Sequence, residues 1–334
     1  MSVPILRQVD EARRKLADIY APIADDLAEA ERIFNAELKS RSAFVQLLVE
    51  HCADFRGKRL RPALVLLIAR ACGRVTHAHR VLAAVVEMIH TATLVHDDIL
   101  DEAMVRRHAA TVNAEWGNEP AVLLGDYLFS HAYHLAASLE TTRACRWIGR
   151  ATNLVCEGEL QQVHNRGNLD LDEATYFEIV RGKTAELTAI CGRLGAHYAG
   201  AGEAVEEAME AYGRDLGVAF QIADDVLDLW GEERNAGKTL GTDLDKQKLT
   251  LPIIRFLATA PDDLARRVRG WLAEAHPDRE RLRPLLVASG SLEYAWEVAR
   301  RHAAAAEATL EGLAPSPSRE VLTVLARTVV NRPF

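Results

Sequence analysis

Apolar residues recur at three- and four-residue spacing along almost the whole chain, and nowhere do apolar and polar residues alternate between hairpin turns. Such a pattern can bury its hydrophobic surface only as helices packed on helices. Helices are predicted over residues 9–37 (one or two), 61–72, 80–102, 120–139, 147–164, 174–198 and 204–230. The series continues over 252–258, 262–275, 279–289, 291–313 and 318–331. Segments rich in Pro, Gly, Ser or Asn are short, at 165–168, 231–241 and 315–318, and none has the length of an interdomain linker. The expectation is an all-α fold of roughly a dozen helices in one domain spanning residues 1–334. Ala, Leu, Glu and Arg are abundant and only 6% of residues are aromatic, a composition that favours helix.

The formal net charge of −8 argues against a nucleic-acid partner, which calls for a basic stripe or patch. The cysteines (52, 72, 145, 156 and 191) are five in number and form no CxxC pair, so neither a disulfide framework nor a zinc site is indicated. The most apolar run, 81–100, is interrupted by Glu87, His90, His96, Asp97 and Asp98, too many ionisable groups for a membrane span. The first 20 residues are charged and amphipathic and lack a signal-peptide core. A soluble cytoplasmic protein without stable membrane insertion is expected.

Two clusters disturb the helical pattern. Asp97, Asp98 and Asp101 end one apolar helix, and Asp224, Asp225 and Asp228 end another, both in the arrangement DDxLD. Asp is a weak helix former, carboxylates four apart repel, and the C-terminal end of a helix dipole disfavours anions. A bound cation removes all three conflicts. Asp97 and Asp101 lie one turn apart on one face, where they can share a hard divalent ion such as Mg²⁺, completed by water and substrate phosphates. A solvated acidic helix end explains one such cluster; two, each trailed by cations, are harder to explain that way.

Lysine is scarce, with residues 15, 39, 58, 183, 238, 246 and 248 the complete set, while arginine supplies most positive charge. Lys58, Lys183, Lys238 and Lys248 stand among Gly, Thr and Asp in segments resembling site edges. Gly57-Lys58-Arg59-Leu60-Arg61-Pro62 precedes a helix start, Arg106-Arg107 follows the first Asp cluster, and Lys238 and Lys248 bracket Gly241, Asp243 and Asp245. His90 lies two turns before Asp97 on about the same face, a position that also suits an ordinary core histidine. Metals and cations around an apolar interior suit departure of a diphosphate from a hydrocarbon, with water kept from the resulting carbocation.

These residues resemble the trans-isoprenyl diphosphate synthases, or polyprenyl synthetases, over about residues 15–332. The ordered motifs are GKRLRP at 57–62, EMIHTATLVHDDILDEAMVRR at 87–107, GDYL at 125–128 and GE at 158–159 with Gln162. KT at 183–184, FQIADDVLD at 220–228 and GKTLGTDLDKQKLTLP at 237–252 follow. The resemblance implies a helical bundle of the isoprenoid synthase type enclosing a central cavity, usually in a homodimer. It implies that Asp97, Asp101 and Asp224 ligate Mg²⁺, three ions when the allylic diphosphate is bound, with Asp98, Asp225 and Asp228 in or near the coordination shell. Arg106, Lys183, Thr184, Gln221, Lys238 and Lys248 would hold the allylic diphosphate, and Lys58, Arg61, His90 and Arg107 isopentenyl diphosphate. Three positions depart from the family pattern: Arg56 and Gln247 stand for glycines, and His108-Ala109 for a pair such as Gly-Lys.

In this family bulky residues four or five positions before the first Asp motif act as a floor for the growing chain. Here they are Thr93 and Ala92, both small, which implies a product longer than C20. Phe129, Tyr133 or Leu135 on the next helix is the alternative floor, giving a short-chain (C15–C20) synthase. A terpene cyclase would not need Lys58, Arg61, His90 and Arg107. A non-catalytic regulatory subunit would be expected to lose the Asp motifs, and a lipid-binding protein would not need them.

Overall fold

The computed structural model describes residues 18–53, 57–107, 109–230, 242–274 and 276–331. The helices form where the apolar periodicity predicts them. In chain order they are α1 (Ala24–Glu37), α2 (Ala43–Ala53), α3 (Leu60–Cys72), α4 (His77–Leu100), α5 (Val112–Trp116), α6 (Asn118–Ala137) and α7 (Arg143–His164). Next come α8 (Glu173–Val180), a π-helical turn (Arg181–Ala185), α9 (Glu186–Tyr198), α10 (Glu203–Trp230), α11 (Thr242–Asp245) and α12 (Leu251–Thr259). The series ends with α13 (Asp262–Leu272), α14 (Arg279–Ala288), α15 (Ser291–Thr309) and α16 (Pro317–Val329). Three short helices, α2, α5 and α11, were not predicted. Neither was the two-residue ladder of β1 (Val105–Arg106) with β2 (Ala109–Ala110), the only strands among the described residues.

Helices α3, α4, α9 and α10 form the centre. Helix α4 packs between α3 and α6, α9 lies on α3, and α15 covers α10. The core has two clusters, one holding Leu64, Leu67, Leu82, Ile89 and Leu128, the other Val226, Leu251, Phe256, Val268 and Trp296. Helix α10 contributes Met209, Tyr212 and Leu216 to the first and Val218, Ile222 and Val226 to the second, joining them. Helix α4 is long and apolar enough to cross a membrane, but 72% of its apolar window is buried against other helices. Its start is fixed by the buried His79, whose Nδ1 accepts from the Thr76 N–H at 2.9 Å and whose Nε2 meets the Gly195 carbonyl at 3.1 Å. One ring nitrogen accepts and the other donates, so the imidazole is neutral, and burial lowers its pKa accordingly.

Helices α9 and α10 approach so closely that a Cβ on Gly192 would stand 1.9 Å from the Met209 carbonyl oxygen, and one on Gly213 2.2 Å from that of Thr188. Both obstacles are backbone, so neither yields by a rotamer change. Gly192→Ala is expected to cost about 3 kcal/mol of stability, read as a lowered urea midpoint with unchanged slope.

Candidate functional site

Both acidic motifs sit where the sequence places them, at the C-terminal ends of α4 and α10. The chain after α4 folds back over the helix end. Ala103 N–H reaches the Asp98 carbonyl at 2.9 Å, Thr111 Oγ1 donates to the Ala103 carbonyl at 2.6 Å, and the β1–β2 ladder follows. His51 on α2 meets the Ala110 carbonyl at 2.7 Å and supports the ladder from below. This fold-back carries Arg106 onto Asp98, which is 1% exposed: Nε lies 2.8 and 3.0 Å from the two carboxylate oxygens.

Asp97 and Asp101 have different surroundings. Burial pushes Asp97 up to about 6, Lys183 opposes the rise, and Glu159 and Asp101 add to it. Asp101 receives Lys246 and Lys248, each with Nζ at 3.1 Å, and Arg166 at 3.6 Å. Burial would raise its pKa, but the two lysines outweigh burial and hold it below the usual range.

Lys183 belongs to the π turn and donates to Glu159 Oε1 and Gln162 Oε1, both at 2.7 Å. The turn seats on α7 through two glycines. A Cβ on Gly158 would stand 2.4 Å from the Lys183 nitrogen, and one on Gly182 2.8 Å from the Leu154 carbonyl. The next residue, Thr184, donates to Gln221 Oε1 at 2.8 Å, and Gln221 Nε2 donates to Asp225 Oδ1 at 2.7 Å. Asp225 also accepts from the Tyr176 hydroxyl at 2.6 Å. Asp228, 2% exposed, accepts the Asp243 N–H at 3.1 Å, and Lys248 N–H donates to the Asp243 carbonyl at 2.8 Å. A continuous polar path, Asp101–Lys248–Asp243–Asp228, therefore links the two motifs. Asp224 is half-buried on the same helix end.

Burial raises Asp225 to about 8, with Asp243 adding and the two donors opposing. An unfolded Asp titrates near 4, so the folded state holds this proton more tightly. Stability without metal should therefore fall as pH rises from about 4 to 8 and level off above. Asp97 contributes the same trend only up to about 6. Between pH 6.5 and 8.5 the loss, about 1–2 kcal/mol, should vanish in Asp225→Asn; urea midpoints at the two pH values check this.

A cationic group lies beside the first motif. Arg61 Nη1 meets His90 Nε2 at 3.1 Å. Burial, then Arg61, Arg107, Arg106 and Arg59, drive the His90 pKa well down and keep the ring neutral. The buried Arg61 Nε has no hydrogen-bond partner. Arg107 lies against Gly57, its guanidinium nitrogens 2.5 Å from where a Cβ would be, and Lys58 is exposed on the same strand of loop. Arg59, at φ 51°, is held by Glu87 at 2.7 Å and Glu31 at 3.1 Å. Ala92 is fully buried in the first core cluster, and the half-buried Thr93 donates its hydroxyl to the His90 carbonyl at 2.8 Å. Lys238, Gly241, Arg56 and His108 lie outside the described residues.

Besides Arg166 and Lys246 on Asp101, sequence reasoning missed four contributors. Glu87 anchors Arg59, Tyr176 binds Asp225, and Arg279 and Arg283 donate to the Asp228 and Leu229 carbonyls at 3.3 and 2.9 Å, capping α10. Glu87 was visible as a charge within an apolar run; the others come from distant segments. Among the described residues no three His, Cys, Asp or Glu side chains form a ready metal cage. Asp97 and Asp101 supply hard oxygen donors of the kind a divalent cation such as Mg²⁺ takes, one or two carboxylates completed by water and phosphate.

Residues 42–288 match the family model described as polyprenyl synthetase. The chain is 35% identical over 312 residues to octaprenyl diphosphate synthase of Escherichia coli, covering 92% of this chain and 96% of that one. A polyprenyl synthase from Caulobacter crescentus, solved with calcium and isoprenyl diphosphate, superposes with a TM-score of 0.89 at 36% identity, covering 95% of this chain and 98% of that one. Geranylgeranyl pyrophosphate synthetase from Pyrococcus horikoshii gives 0.88 at 31%, covering 96% and 100%.

Proposed function

The chain belongs to the polyprenyl synthetase family, and on that premise we propose how this prenyltransferase works and what it makes. The reaction condenses an allylic diphosphate, farnesyl or geranylgeranyl, with isopentenyl diphosphate to give a trans-polyprenyl diphosphate longer than C20 and free diphosphate. The observation that carries this reading is the polar path from Asp101 through Lys248 to Asp228, which joins the two acidic helix ends into one site.

Asp97, Asp101 and Asp224 would hold Mg²⁺, three ions with the allylic diphosphate bound, and the metal would supply charge neutralisation of the leaving group. Asp98, Asp225 and Asp228 serve near the shell, held by Arg106, by Tyr176 and Gln221, and by the Asp243 N–H. Lys183 exchanges Glu159 and Gln162 for phosphate oxygens, and Arg106, Thr184, Gln221, Lys238 and Lys248 complete the allylic site. Lys58, Arg61, His90 and Arg107 hold isopentenyl diphosphate. The unpartnered Arg61 Nε and the neutral His90 beside several arginines leave unbalanced positive charge that suits a diphosphate. The allylic C1–O bond breaks with its electron pair going to diphosphate. The isopentenyl double bond attacks C1, and the C2 proton passes to a diphosphate oxygen.

A long product is supported by the small, buried Ala92 and by the octaprenyl synthase relative. A short-chain synthase is the second reading, since a geranylgeranyl synthetase shares the scaffold. We read residues 1–334 as one domain working as a cytoplasmic homodimer, and the exposed Val122 and Leu123 on α6 with Leu160 on α7 suit a second copy. The test is a product assay with purified protein, Mg²⁺, geranyl or farnesyl diphosphate as primer and labelled isopentenyl diphosphate. Products of six or more isoprene units are expected; a stop at C15 or C20 would favour the second reading, and no elongation would overturn both.

A further inference from the structure

Three cations from two separate loops converge on the single carboxylate of Asp101: Lys246 and Lys248 at 3.1 Å and Arg166 at 3.6 Å. One carboxylate balances one of them. The Arg166 side chain is about two-thirds buried, and its Nε is shielded from solvent without a hydrogen-bond partner. Its Nη2 reaches the Leu100 carbonyl at 3.3 Å, the exposed end of α4. An arginine so placed has donors left over, in the planar fork that matches phosphate oxygens.

The two loops are built to bring these groups together. Gly167 donates its N–H to the Gln247 carbonyl at 2.9 Å, and a Cβ on Gly167 would stand 3.0 Å from Gln247 Oε1. Both residues are left-handed, Gly167 at φ 74° and Gln247 at φ 54°. That conformation is uncommon for a residue with a Cβ. The lysines on either side of Gln247, two residues apart, both reach the same Asp101 oxygen while the Gln247 backbone is tied to Gly167.

We propose that Arg166 and Lys246 join Lys248 in a three-cation subsite that holds the diphosphate of the allylic substrate beside Asp101. The proposal rests on the reading of Lys248 and Asp101 as parts of the allylic site. It adds Arg166 and Lys246, two residues to which no role was assigned.

Inorganic pyrophosphate with Mg²⁺ is titrated calorimetrically into the full-length protein, Arg166→Gln, Lys246→Gln and the double variant, with KM measured for both substrates. Each single change is expected to weaken pyrophosphate binding about tenfold, the loss of one charge-assisted hydrogen bond. The double variant should lose more, with allylic KM rising in step and isopentenyl KM unchanged, and Arg166→Lys, which keeps the charge without the fork, should recover only part of the affinity. Pyrophosphate affinity within twofold of the parent in the double variant, even with a lowered melting temperature, would reduce the three cations to a structural brace and overturn the proposal. A shift confined to isopentenyl KM would overturn it as well. Failure of the parent protein to bind pyrophosphate would remove the underlying reading of the site, a result distinct from the other two.

Discussion

Asp97→Ala is expected to lower kcat roughly a thousandfold, about 4 kcal/mol of transition-state stabilisation, while leaving the fold intact. The magnitude follows from removing one of the oxygen donors that would hold cationic charge against the departing diphosphate. The stability expectation comes from the local electrostatics. Burial raises Asp97 to about 6, so at neutral pH the protein holds an ionised carboxylate in a place that penalises the charge. Removing it takes away that penalty, and the metal-free variant should melt at or above the parent temperature. Steady-state rates with saturating Mg²⁺, paired with a thermal melt, read both. Parent-like turnover would remove the metal assignment at Asp97, and a collapsed melting curve would mean that the group supports the fold.

Ala92→Phe is expected to shorten the product to about C15–C20. Ala92 lies five residues before Asp97 on α4, about 7.5 Å along the helix from the charged end. That distance falls within the first isoprene units below the diphosphate. Phenylalanine replaces a fully buried methyl with a ring, in the core cluster to which α6 contributes Leu128 and Ala132. Product length after dephosphorylation is the readout, with a melting curve to separate obstruction from misfolding. A folded variant with the parent's chain length would move the floor to α6, where Phe129, Tyr133 and Leu135 also meet this core.

The helical plan was legible because each long helix repeats a 3.6-residue apolar stripe: α4, α7 and α10 begin and end within a few residues of expectation. Helices α2, α5 and α11 escaped, two of them because four or five residues are too few to establish a period. The motifs carrying Asp97, Lys183 and Asp225 were visible as local chemistry. Their present partners were not. Arg106 on Asp98 requires the fold-back after α4, and Lys246 with Arg166 on Asp101 requires two loops 80 residues apart to zip together. Sequence spacing cannot announce a contact that only the tertiary path creates.

The π turn at Arg181–Ala185 acts as a phase shift within one continuous rod of α8 and α9. Relative to an α-helix it inserts one residue, so everything after it is rotated by about 100°. Tyr176 before the shift and Gly192 after it obey different stripes, one aimed at Asp225 and the other at the Met209 backbone. Deleting a single residue here would restore an ordinary helix and aim one of those two groups into the wrong neighbour. The site and the tightest helix–helix seam are thus indexed to each other by one residue. Recombination or a one-residue deletion crossing this turn should yield proteins that keep either the seam or the site, but not both.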